Sequence, residues 1–111
     1  MEYTPNKWKL IKITGGEFSP LYKVVGGWFG GYIDGDSWRV NSGIERYWED
    51  DEYYYFHGFS GSIYKCKKSS EGFIMIMQGA INQFLDYAAT IEGMAVEIVD
   101  VEELCSNLKS E

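Results

Sequence analysis

The sequence holds a single histidine, His57, which excludes zinc sites built on two or more imidazoles and leaves one candidate general base. Basic residues are in deficit. Ten Lys and Arg stand against seventeen Asp and Glu, a net charge of -7, and a surface of that sign does not wrap a phosphate backbone. Direct binding of DNA or RNA is therefore not expected. Long apolar runs are missing too: the longest, Phe73 to Met77, is five residues, where a bilayer span needs roughly 20. No membrane partner is expected. The start, Met1-Glu2-Tyr3-Thr4-Pro5, has neither the basic opening nor the apolar stretch of a signal peptide, which predicts a cytoplasmic protein with Cys66 and Cys105 reduced. There is no repeat, low-complexity tract or linker, and 111 residues suit a single domain, 1–111, able to fold without disulfide or metal.

What the chain has is aromatic residues, unevenly placed. Sixteen of nineteen lie between Tyr3 and Tyr64, together with most of the glycines, and flat side chains on a pleated surface with Gly at the turns read as β structure. The pattern predicts an α+β fold: an antiparallel, aromatic-rich sheet over about residues 7–67, then one amphipathic helix, about 70–92. A final strand over about 94–99 and a short C-terminal helix over about 101–108 complete it. Within the sheet, Trp8 and Leu10 share one parity while Ile11 and Ile13 share the other, which predicts a bulge or bend in the first strand. Strands are expected at Leu21–Val25, Trp28–Ile33 and Trp38–Ile44, the last two joined by an Asp34-Gly35 turn. A hairpin from Ile44 to Phe59 carries Glu49-Asp50-Asp51-Glu52 at its tip, and Ser62, Tyr64 and Cys66 point to a buried face in the next strand. Asp100 with Glu103 three residues later makes a capping-box-like start for the last helix.

Most motifs that carry chemistry fail on spacing. Gly58-Phe59-Ser60-Gly61-Ser62 lacks the glycine two places after serine that a nucleophile elbow requires. Gly26-Gly27-Trp28-Phe29-Gly30-Gly31 fits neither phosphate-binding fingerprint, and Asp34, Asp36, Ser42 and Glu45 approach a calcium loop that has Arg39 where its glycine belongs. Cys66 has lysines beside it but sits at a buried parity, which makes it a structural thiol. No catalytic residue, metal site or cofactor is assigned on these grounds. Charge is a stronger signal: residues 34–60 hold seven acids against two arginines, whereas residues 61–70 hold three lysines and no acid. An acidic ridge of Glu45, Glu49, Asp50, Asp51 and Glu52 with Trp48, Tyr53 and Tyr54 interleaved fits a basic partner, the carboxylates steering encounter and the rings anchoring it. The plainer alternative is a solvated acidic hairpin that keeps a small protein soluble.

The stretch Asp36-Ser37-Trp38-Arg39-Val40-Asn41-Ser42-Gly43-Ile44, followed by Gly58-Phe59-Ser60-Gly61-Ser62-Ile63-Tyr64-Lys65-Cys66, resembles small uncharacterised bacteriophage-encoded proteins over about residues 36–72. No established activity or functional residue comes with the resemblance. It implies a viral protein in the host bacterial cytoplasm, a setting in which short acidic proteins bind and block host defence complexes in the anti-CRISPR and anti-restriction manner. The expectation is thus a non-enzymatic acidic inhibitor that occupies the basic, nucleic-acid-binding site of a host protein. Two alternatives stand beside it. One is a small ligand-binding or enzymatic domain whose pocket gathers Trp38, Arg39, Asn41, Ser42 and His57, and the other is a phage structural or assembly component.

Overall fold

A strand that places apolar residues on both parities needs cover on both faces, and this requirement shapes the whole molecule. The computed structural model describes residues 1–15, 20–31 and 35–108. Its strands are β1 (Glu2–Tyr3), β2 (Lys7–Thr14), β3 (Leu21–Gly31), β4 (Gly35–Val40), β5 (Ile44–Glu49), β6 (Tyr53–Gly58), β7 (Ile63–Lys67) and β8 (Ala95–Val99). Helices α1 (Met75–Ala89) and α2 (Val101–Asn107) flank β8 in the chain. The strands form two four-stranded sheets, ordered β1-β7-β6-β5 and β4-β3-β2-β8, antiparallel throughout except for the β1–β7 pair. Among the described residues no helix is long and apolar enough to cross a membrane.

The expected bulge in the first strand does not exist. β2 pairs with β3 without a break from Lys7 opposite Gly27 to Ile13 opposite Leu21, and Leu10 and Ile11, adjacent in the chain, are both 0% exposed. Trp8 and Leu10, with Tyr22 and Val24 of β3, face Tyr47, Phe56, Tyr64 and Cys66 of the other sheet. Ile11 and Val25 face Met77, Ala80 and Ile81 of α1. The parity switch marks a central strand in a three-layer stack of sheet, sheet and helix.

The expected strands at 21–25 and 28–33 are one as far as Gly31, and residues 32 and 33 lie outside the described residues. Gly26 and Gly27 lie inside β3, because a Cβ on Gly26 would come within 3.0 Å of Pro5 and one on Gly27 within 2.7 Å of Met77. Glycine at both positions lets the N-terminal segment and α1 close on opposite faces of the same strand. Asp34 lies outside the described residues; Gly35 opens β4 with φ +71° and pairs with Gly31.

Helix α1 also starts later than the periodicity predicts. Residues 68–70 make one 3-10 turn, after which Glu71 bridges to Trp8 and Gly72 donates its N–H to the Trp8 carbonyl. The Lys9–Glu71 ion pair, 3.0 Å, holds this extended segment along β2, so the helix waits until Met75. It ends at Ala89, where Thr90 turns its hydroxyl back to the Tyr87 carbonyl, short of the expected stop at Gly93. The last two elements fall within a residue of expectation. The Asp100 carboxylate accepts from the Glu103 N–H, 3.1 Å, at the start of α2.

Candidate functional site

Alternation along β6 decides what the hairpin presents. Tyr54 and Phe56 point inward, Tyr54 against Trp8 and Phe56, while Tyr53, Tyr55 and His57 point out from the sandwich. On β5, Tyr47 is buried and Trp48, opposite Tyr55, lies on the outer face. Trp48 and Tyr55 stack at 5.7 Å and an interplanar angle of 7°, with Tyr53 next along at 6.2 Å. Arg46 caps one end of this row, 5.8 Å over Trp48, and Lys65 the other, 4.4 Å over Tyr53. The result is a half-exposed row of three rings between two cations, on a sheet face that no helix covers among the described residues.

The four acids of the tip are not equivalent. Asp50 locks the turn: its carboxylate accepts from the N–H groups of Glu52 and Tyr53, at 2.9 and 2.7 Å, and from the Tyr55 hydroxyl at 2.7 Å. The Tyr55 hydroxyl and the two amides hold the Asp50 carboxyl below its usual range, and the same bond pushes Tyr55 up to about 12. Glu49 is paired with Lys68 at 2.8 Å, and Lys68 also lies over the Tyr54 ring. Asp51 and Glu52 remain exposed, and neither side chain makes an ion pair or hydrogen bond among the described residues. They border a shallow groove of about 370 Å³ with Asp50, Tyr53, Tyr55 and Lys65.

The residues expected in the ridge are thus divided by the fold. Asp51, Glu52, Tyr53 and Trp48 share the tip and outer face, Tyr54 belongs to the interior, and Glu45 sits at the far end of β5. Four residues of strand, roughly 13 Å, separate Glu45 from Glu49. There Glu45 accepts a hydrogen bond from His57 Nδ1 at 3.1 Å. Tyr55, Lys65 and Arg46 were missed, although strict alternation in Tyr53-Tyr54-Tyr55 signals that Tyr55, and not Tyr54, accompanies Tyr53.

The residues of the expected pocket do not converge. Arg39, exposed on β4, lies 4.6 Å over the Tyr3 ring at the edge of the sandwich, and Trp38 is exposed on the same strand. Asn41 is buried: its Oδ1 accepts from the Val24 N–H at 2.9 Å, so that its side chain extends the β3–β4 ladder, and its Nδ2 has no partner among the described residues. His57 points from the opposite face of the other sheet. Ser42 bonds Ser60 through its hydroxyl, 3.2 Å. Cys66 is buried, which pushes its thiol well above the usual range, and Cys105 is exposed. Among the described residues no three His, Cys, Asp or Glu side chains gather as a metal site requires. Comparison of the chain with protein-family models, curated proteins and solved structures found no match.

Proposed function

We propose that this chain is a non-enzymatic binding protein that presents the tip and outer face of the β5–β6 hairpin to a basic partner. The observation that carries the reading is the groove at the tip, where Asp51 and Glu52, two carboxylates without a partner among the described residues, adjoin the rings of Tyr53 and Tyr55. A guanidinium is planar, weakly hydrated and permanently charged, so it suits a site with carboxylates on one side and a ring face on the other. Lys65 already occupies one ring face, and an arriving arginine would take its place while the lysine swings to solvent. Net charge of -7 steers a basic surface toward the molecule. In the setting implied by the resemblance to small phage proteins, the partner is a host nucleic-acid-binding complex, and carboxylates standing in for phosphates make the protein a competitor for that site.

The test compares the native protein with an Asp51→Ser/Glu52→Ser variant, first for binding of a fluorescent arginine-rich peptide and then for proteins retained from a bacterial lysate at low and high salt. The double variant is expected to bind the peptide about tenfold more weakly, a change of ~1.4 kcal/mol. Salt is expected to weaken the native complex. Peptide binding that is indifferent to both the substitutions and salt rejects the tip as the contact surface.

A further inference from the structure

At the end of the sandwich away from the acidic tip, the starts of β3 and β5, the turn after β6 and the end of α2 enclose a cleft of about 520 Å³. That volume lies within the range of small-molecule sites, and its walls have their usual character: Leu21, Ile44, Phe59, Leu108 and the ring of Tyr22. The Tyr22 hydroxyl is committed elsewhere, bonded to Glu103 and Asn107 of α2. Among the described lining residues Glu45 is the one charged group.

A β-bulge brings it there. The β5–β6 register runs from Ile44 opposite Gly58 to Arg46 opposite His57, leaving Glu45 as the extra residue, and such bulges re-aim single side chains at strand edges. His57 Nδ1 bonds one carboxylate oxygen, Oε2, and Oε1 has no hydrogen bond among the described residues. The neighbouring wall is strapped in place. Lys23 donates to the carbonyls of Asn41 and Ser42, the Phe59 N–H donates to the Gly43 carbonyl at 3.0 Å, and Gly43, at φ +136°, has no room for a Cβ between Leu21 and the Phe59 ring.

We infer that this cleft binds a small hydrophobic ammonium compound, an alkyl or aryl body seated on the apolar walls with its protonated amine on the open oxygen of Glu45. A purely apolar ligand would cover the open Glu45 oxygen without giving it a partner, and an anionic one would meet the carboxylate with like charge. The pre-formed wall lowers the ordering cost of binding. The site is independent of the partner surface at the tip.

Amide NMR titrations of the full chain with hexylammonium, hexanol and hexanoate test it. Hexylammonium is expected to bind most tightly and hexanoate least, with shifts centred on Leu21, Ser42, Ile44 and Leu108. Glu45→Gln retains a carbonyl for His57 and removes the charge. It is expected to weaken hexylammonium about tenfold, the scale of one charged hydrogen bond, and to leave hexanol unchanged. Leu108→Trp, which narrows the cleft, is expected to weaken all three. Hexanoate binding as tightly as hexylammonium, hexylammonium indifferent to Glu45→Gln, or shifts that bypass these residues would each overturn the inference. Binding of the arginine-rich peptide should not respond to Glu45→Gln, so failure here and failure at the tip are separable.

Discussion

Tyr55 and Asp50 hold each other in the protonation states the hairpin tip needs. The hydroxyl bonded to a carboxylate resists ionising, which pushes Tyr55 up to about 12, and burial does the same for Tyr64, also to about 12. For both, the folded value lies above the unfolded one near 10. Their contribution to stability is therefore complete below pH 10 and is lost as pH rises toward 12, because only the folded form still binds the proton there. A tyrosine-resolved NMR titration should find these two rings ionising last. Asp50→Asn should return Tyr55 toward the usual value and leave Tyr64 in place. The two thiols divide in the same way: Cys66 should resist a thiol reagent until the protein unfolds, while Cys105 reacts in the native state. Trp8 is the residue on which packing depends most. It is 0% exposed, touches both sheets and donates its indole N–H to the Lys67 carbonyl at 2.8 Å. Trp8→Ala should cost about 3–5 kcal/mol in urea denaturation, a large part of the ~5–15 kcal/mol a domain possesses.

At the scale of elements, β3 shows why a glycine pair need not be a turn. With α1 on one face and Pro5 on the other, Gly26 and Gly27 serve as thin places in a long central strand. Gly27→Ala would press on Met77 and Ile74 and should destabilise the fold by about 1–3 kcal/mol, and by less when introduced into a Met77→Ala background. A Gly27→Ala variant as stable as the native protein would show that α1 is not seated as described. The helix α2 is anchored differently. Its N-cap, Asp100, keeps the Glu103 amide, but the Glu103 carboxylate turns away to Lys12 at 3.0 Å and to the Tyr22 hydroxyl, so the capping box is half made and α2 is tied to the central sheet. Asp100→Ala should cost about 1 kcal/mol by the same assay.

For the whole molecule, the central sheet is the organising fact. It is covered by the aromatic sheet on one side and α1 on the other, and among the described residues no layer covers the outer face of β5, β6 and β7. The chain's aromatic wealth is thereby split into two uses. Trp8, Tyr22, Phe56 and Tyr64 fill the interior, whereas Trp48, Tyr53 and Tyr55 line the outside between Arg46 and Lys65. The negative charge is divided as well: Glu71, Glu103 and Glu49 pair with Lys9, Lys12 and Lys68, Asp51 and Glu52 face the groove at one end, and Glu45, with one oxygen on His57, faces the cleft at the other. Two ends of one hairpin thus offer two different chemistries.

Element types, and the bounds of β8 and α2, were determined by the sequence alone, because hydrophobic period, turn glycines and caps act over a few residues. The buried parity of Tyr64 and Cys66, the acidic tip and the Asp100 cap were all legible on that scale. Tertiary structure alone decided that one expected sheet is two, that the parity switch at Leu10–Ile11 means cover on both faces, and that Glu71 runs beside β2 before α1 begins. It also decided which carboxylates stay free, since Lys68 lies 19 positions from Glu49 and Lys12 lies 91 from Glu103. Pairings at that separation depend on how layers stack, and no local pattern in the chain encodes the distance between layers.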